Sequence, residues 1–230
     1  GVADTPTVTV AAATGNEDAA IPLNISTALT DADGSESITA ITISGVPSGA
    51  TLSAGTNNGN GTWTLTPAQL QGLTLTPGLN SSDDLQLTVT ATSSEDGSTA
   101  TSTATFAINI AGVADAATVT VGDISVKEDT AEIPLNIAAQ FPDVDGSEAQ
   151  SITISGVVGG ATLSAGTDNG DGTWTLTPAQ LQDLTLTPGA NNADDLQLTV
   201  TATSSEDGTT ATTTSRSTCQ TPSRLGGEFR

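Results

Sequence analysis

The sequence predicts an all-β protein made of two sandwich modules arranged end to end, and three observations lead there. The chain is written twice: Gly1-Val2-Ala3-Asp4 returns as Gly112-Val113-Ala114-Asp115, and the run from Asn58 to Gln71 returns with one change from Asn169 to Gln182. A period of about 111 residues is too long for a solenoid or propeller repeat and suits one small domain per copy. Short segments alternate apolar and polar residues with period two, as half-buried strands do. Clusters of Gly, Asn, Asp, Ser and Pro separate those segments and mark turns.

Taken in order within the first copy, strand A is expected near 6–12, where Thr7-Val8-Thr9-Val10 alternates. Strand B follows near 20–29 on Ile21, Leu23 and Ile25, strand C near 38–46 on Ile41 and Ile43, and strand D near 50–55 around Leu52. Strand E is expected near 62–66 on Trp63 and Leu65, F near 84–92 on Leu85, Leu87 and Val89, and G near 99–110 on Phe106, Ile108 and Ile110. The stretch from Pro67 to Gln71 reads as a single helical turn at a corner. About seven strands in roughly 100 residues is the count of an immunoglobulin-like sandwich.

The second copy departs at its end. Phe106, Ile108 and Ile110 should recur at 217, 219 and 221, where the chain carries Ser217, Cys219 and Thr221. The organisation is therefore read as one repeat over 1–111, a second over 112–212 whose final strand is missing or replaced, and an atypical tail over 213–230. That tail holds three of the four basic residues and the one cysteine, which suggests a cloning scar or a shifted reading frame. It is expected to be poorly ordered or a makeshift edge. At about 1.5 to 3 kcal/mol per buried apolar side chain, the second repeat should be the less stable.

Composition narrows function. Twenty-six Asp and Glu against four Lys and Arg leave a formal charge of -22, and Lys127 is the first basic residue in the chain. Such a surface repels nucleic acid and anionic lipid. Histidine, tyrosine and methionine are absent, which removes most of the usual groups for acid–base and nucleophilic catalysis, so no enzyme is expected. With a single cysteine, disulfides cannot staple a small secreted domain, and metal is the usual substitute. No run is long and apolar enough to span a bilayer, and no signal peptide opens the chain; it reads as a monomeric piece of something longer.

The acids are not scattered. Strands that run up and down place Glu17, Asp18, Asp83 and Asp84 at the pole where strand G ends. The opposite pole of the second module should carry Asp143, Asp145, Glu148 and the Ser205-Glu206-Asp207 run, with Asp115 in the connection. On this reading the turn between D and E, near 57–61, also belongs to the pole where each module begins. Calcium takes six to eight oxygens, many of them carboxylate, so these groups are candidate ligands of an ion shared by neighbouring repeats: Glu17, Asp18, Asp83, Asp84, Asp115, Asp143, Asp145 and Asp207. Asp4, Asp31, Asp33 and Asp96 would form one half of such a site, and Glu128, Asp129, Asp194 and Asp195 the other.

Asn16-Glu17-Asp18, the Asp31-Ala32-Asp33-Gly34-Ser35-Glu36 run, Gly49-Ala50-Thr51-Leu52-Ser53 and the Gly-Val-Ala-Asp joints resemble the extender repeats of giant bacterial RTX adhesins exported by type I secretion. The resemblance covers essentially residues 1 to 212. It implies calcium-dependent immunoglobulin-like or cadherin-like modules in an extracellular stalk, which holds a distal ligand-binding region away from the bacterial cell surface for attachment or biofilm formation. The chain departs from that family in lacking glycine-rich nonapeptides, a secretion signal and a ligand-binding domain.

Plainer readings apply elsewhere. Asn57-Asn58-Gly59-Asn60-Gly61 and Asp168-Asn169-Gly170-Asp171-Gly172 read as hairpin turns, because Asn-Gly and Asp-Gly tolerate positive φ. Trp63 and Trp174 open alternating strands and read as core. The threonine rows match the wet face of a twisted sheet. The rival function is a module that binds a glycan or host protein through its loops, which would call for divergent loops with exposed aromatics.

Overall fold

The computed structural model describes residues 1–31, 34–125, 132–143, 146–190 and 195–220. The chain divides into two compact units, residues 1–112 and 113–230. Both are β-sandwiches, as the alternating segments predict.

In the first unit the strands are β1 (Thr7–Val10), β2 (Ala13–Asn16), β3 (Ile21–Pro22), β4 (Ile25–Ala28), β5 (Ser37–Ser44), β6 (Thr51–Leu52), β7 (Thr56–Asn57), β8 (Thr62–Leu65), β9 (Thr74–Thr76), β10 (Leu85–Glu95) and β11 (Ser98–Ala111). One layer is a six-stranded sheet in the order β2-β11-β10-β5-β8-β7, and facing it are the β1-β4 pair and the β3-β9-β6 sheet. All pairings are antiparallel except β2 with β11, where Ala13 stands opposite Ile108. Inward positions of the large sheet supply Ile41, Ile43, Leu87, Val89, Phe106 and Ile108, and the other layer supplies Ile21, Leu23, Ile25, Leu52 and Leu75. Outward positions are threonine: Thr56, Thr64, Thr42, Thr90 and Thr103 stand opposite one another across five strands.

Two features differ from the sequence reading. The segment Leu73-Thr74-Leu75-Thr76 contributes β9, which takes the place between β3 and β6, so the strand begun by Trp63 pairs with β5 instead. With Ser44 opposite Thr62 and Ile41 opposite Leu65, the β7–β8 hairpin lies at the pole where the unit ends, not where it begins. Gly45 must follow β5 there. Its φ is +91°, and a Cβ would lie 2.5 Å from the Gln86 carbonyl oxygen, so only glycine fits.

The second unit repeats the plan with β12 (Thr118–Val121), β13 (Ile124–Ser125), β14 (Ile133–Pro134), β15 (Ile137–Gln140), β16 (Ala149–Ser155), β17 (Thr162–Leu163), β18 (Thr167–Asp168), β19 (Thr173–Leu176), β20 (Thr185–Thr187), β21 (Leu196–Glu206) and β22 (Thr209–Gln220). The last strand runs past residue 212, where the sequence suggests the repeat stops, and Cys219 pairs with Leu196 as Ile108 pairs with Leu85. The ladder is made by backbone groups, and the Asp207-Gly208 turn, with φ of 44° and 83°, sets its register before any side chain is consulted. Ser217 takes the place of Phe106, and its hydroxyl donates to the Gly122 carbonyl at 2.7 Å. Cys219 is 1% exposed and fills the Ile108 position. Residues 221–230 of the expected tail lie outside the described residues.

One local difference between the copies matters below. In the first unit the pairing of β10 with β5 slips between Thr92 and Ser93, so that Thr39 is an extra residue in a bulge. In the second unit β21 pairs with β16 without a break, from Thr199 opposite Ser155 to Ser205 opposite Ala149.

Candidate metal centre

β21 alternates without interruption: Leu196, Leu198, Val200, Ala202, Ser204 and Glu206 all face inward, and side chains shrink toward the pole where the unit begins. Period two therefore delivers Glu206, only 5% exposed, onto the end of the core. Asp143, on the connection after β15, is equally buried, and Glu148 stands immediately before β16. One carboxylate oxygen from each of these three residues lies within 4.8 Å of the other two. Both Glu206 oxygens, and Oε2 of Glu148, are buried without a hydrogen-bond partner among the described residues.

The surrounding backbone is held in place. Ser204, wholly buried, donates its hydroxyl to the Asp115 carbonyl, and the Asp115 N–H donates to Glu148 Oε1 at 2.6 Å. The Ser147 hydroxyl reaches Asp143 Oδ2 at 3.4 Å. Thus the segment before β12, the loop after β15 and the end of β21 are tied together around the three acids.

This arrangement suits a hard divalent cation. Two oxygens on opposite sides of a calcium ion, each at about 2.4 Å, stand about 4.8 Å apart. All three donors are carboxylates, with neither imidazole nor thiolate among them, which favours calcium, magnesium or manganese over zinc or copper. Burying unpaired carboxylates together is costly unless a cation compensates them.

The first unit places equivalent residues differently. Glu36, 6% exposed, accepts the Asp4 N–H through Oε1 at 2.6 Å and leaves Oε2 buried without a partner among the described residues. Ser93 donates to the Asp4 carbonyl, as Ser204 does to that of Asp115. Glu95, however, accepts from the Ser35 hydroxyl, and Gly1 sits directly against its carboxylate. Among the described residues, Asp31, Glu36 and Glu95 do not converge as Asp143, Glu148 and Glu206 do. The bulge at Thr39 lies in the strand that follows Glu36.

The other residues singled out in the sequence fall as follows. Asp96 and Asp207 sit at the tips of the β10–β11 and β21–β22 turns with φ of 46° and 44°, exposed, and Asp96 pairs with the Gly1 ammonium. Asp4 is exposed, and Asp31 and Asp115 are half-buried. At the opposite pole of the first unit, Glu17 is buried, its N–H donating to the Ala111 carbonyl. There Asp18 accepts the Asn80 N–H at 3.0 Å, Asp84 accepts the Ile110 N–H at 2.9 Å, and Asp83 is exposed. Asp195 is exposed in the second unit. Asp33, Glu128, Asp129, Asp145 and Asp194 lie outside the described residues.

Glu148 and Glu206 lie outside the ligand set that the sequence suggests, and the signal that finds Glu206 is parity. Extending strand F two inward positions beyond Ala202 reaches Ser204 and then Glu206. Asp207, the neighbouring candidate, has the opposite parity and points to solvent.

No family model matches this chain, and no curated protein matches it. Solved structures similar to it include Drosophila N-cadherin EC1-4, at 14% identity over 95% of this chain and 50% of that one with a TM-score of 0.41. They also include the fibronectin(III)-like modules of Clostridium thermocellum CbhA, at 14% identity over 97% and 99% with a TM-score of 0.26, and an I-band fragment of titin, at 8% identity over 94% and 65% with a TM-score of 0.33. The chain thus spans about half the length of the N-cadherin fragment.

Proposed function

We propose that this chain is a two-module segment of an extracellular stalk of a bacterial surface adhesin, in which calcium bound at the acidic poles stiffens the joint between successive modules. The observation that carries the reading is Glu206, whose two carboxylate oxygens are buried beside Asp143 and Glu148 without a partner among the described residues. A calcium ion there, ligated by Asp143, Glu148 and Glu206, would neutralise the cluster and fix the segment before β12 that the Asp115 backbone ties to it. Near-duplicate modules add length without adding a new binding surface, which supports a spacer that works as a monomer alongside further repeats. The chain's lack of histidine and tyrosine favours a mechanical role over a catalytic one.

The rival ligand-binding reading finds less support. A cavity of about 220 Å³ beside the β7–β8 hairpin, lined in part by Val46, Pro47, Asn57, Asn60 and Trp63, is smaller than the 300 Å³ or so at which small-molecule pockets begin. Calorimetric titration with calcium, paired with small-angle scattering in calcium and in chelator, tests the proposal. Binding at about 0.1 to 1 mM with a longer maximum dimension is expected. A flat titration, or a dimension indifferent to calcium, would overturn it.

A further inference from the structure

We propose that Asn60 is a site of spontaneous, structure-directed deamidation, and that the fold protects the two other Asn-Gly bonds of the hairpin turns, Asn58-Gly59 and Asn169-Gly170. The reaction needs a free backbone N–H on the following glycine, a polarised side-chain carbonyl and an amide free to leave. The turn meets all three conditions at Asn60. Its Oδ1 accepts both the N–H and the hydroxyl of Thr62, at 3.3 and 2.5 Å, which draws electron density from Cγ. Its Nδ2 donates to no described residue. The Gly61 N–H likewise has no acceptor among the described residues, although its carbonyl accepts from Val46. Asn60 is exposed, and Gly61 carries no side chain to hinder approach.

The neighbouring bonds are locked. Asn58 Nδ2 donates to the hydroxyls of Thr62 and Thr64, both at 3.1 Å, and the Gly59 N–H is committed to Asn57 Oδ1 at 2.8 Å. In the second unit Asn169 Nδ2 donates to Thr173 and Thr175, and the Gly170 N–H donates to Asp168 Oδ1 at 2.8 Å. Three hydrogen bonds must break at each before attack. At about two- to tenfold each, their loss slows these sites by about tenfold or more relative to Asn60.

The chemistry balances with water alone. The Gly61 nitrogen loses its proton to solvent base and bonds to Asn60 Cγ, and the Cγ–Nδ2 bond breaks to release ammonia. Water then opens the resulting cyclic imide at either carbonyl, leaving aspartate or isoaspartate at position 60. The second unit already displays the aspartate form: Asp171 occupies the equivalent position and accepts the Thr173 N–H and hydroxyl at 3.0 and 2.6 Å. The Thr173 hydroxyl, followed by its N–H, holds the Asp171 carboxyl below its ordinary value, so the turn receives a carboxylate readily. Deamidation of Asn60 would thus convert the first turn into the second and add one negative charge, whereas isoaspartate would lengthen the backbone and disturb the register.

The test is incubation of the intact protein at mildly alkaline pH and 37 °C, followed by peptide mapping with a protease that cuts at acidic residues, reading the gain of about 1 Da at each asparagine. Asn60 should convert about tenfold faster or more than Asn58 and Asn169, and the preference should collapse in denaturant, where all three are ordinary Asn-Gly bonds. Comparable native rates at the three sites, or a preference that survives unfolding, would overturn the inference. Asn60→Asp should retain the native melting temperature, while Asn58→Asp, which loses two donors, should lower it; the reverse order would overturn the claim that the turn accepts the aspartate product.

Discussion

Glu206→Gln offers the most discriminating perturbation, because the stability it adds in chelator should be largely cancelled in calcium. With three carboxylates within 4.8 Å of one another, each pair repels by about 1 kcal/mol in water-like surroundings and about 3.5 kcal/mol at an effective dielectric constant of about 20. Neutralising Glu206 removes two of the three pairs. In chelator the variant should therefore be more stable than the parent by roughly 2 kcal/mol or more. In 10 mM calcium the parent gains RT ln(1 + [L]/Kd), about 1.4 to 2.7 kcal/mol for a Kd between about 1 and 0.1 mM. That corresponds to a rise in Tm of roughly 5 to 20 °C for a module of this size. The variant, short of one charged ligand, should lose most of that rise. Thermal unfolding followed by tryptophan fluorescence reads the second unit alone when Trp63→Phe is the background, since Trp63 and Trp174 are the two tryptophans. A destabilisation of equal size in chelator and calcium would show that Glu206 is a structural residue and refute the argument from charge.

Other expectations follow from the same geometry. Ser204→Ala removes the hydroxyl that donates to the Asp115 carbonyl and should cost about 0.5 to 1.5 kcal/mol in chelator, measured by urea unfolding. Asp207→Asn, at an exposed turn tip, should change calcium affinity by less than about twofold in calorimetry, in contrast to Glu206→Gln. Burial, and then the nearby Asp195 charge, push the Cys219 thiol above its ordinary value. Its contribution to stability is thus complete below the unfolded thiol value and lost as pH rises through the higher folded one, and labelling by a disulfide reagent should stay slow until the unit unfolds. The replacement of Phe106 by Ser217 removes a buried aromatic side chain, so the second unit in chelator should exchange its core amides at a free energy about 2 to 4 kcal/mol below the first, as hydrogen exchange can measure.

Local pattern made much of this protein legible. Alternation over Leu85 to Val89 or Ile41 to Ile43 requires only that neighbouring residues face opposite ways, so strands, core residues and the all-β class could be read from spacing. Duplicated motifs announced two units, and a charge of -22 announced a large excess of acidic over basic side chains. Pairing is different, because it is a competition between distant segments that no window of sequence contains. Only the folded chain decides that Thr74–Thr76 lies between β3 and β6, that β8 therefore joins β5, and that the Asn-rich hairpin moves to the other pole. Likewise, backbone pairing carries β22 through residues whose side chains advertise no strand. The acids show both sides of the matter. Their abundance was plain from composition, yet whether Glu206 or Asp207 turns inward depends on a strand running two inward positions beyond Ala202, and the first unit alone carries a bulge at Thr39. Sequence spacing sets which way a side chain can face; register, decided only when strands find their partners, sets what it meets there.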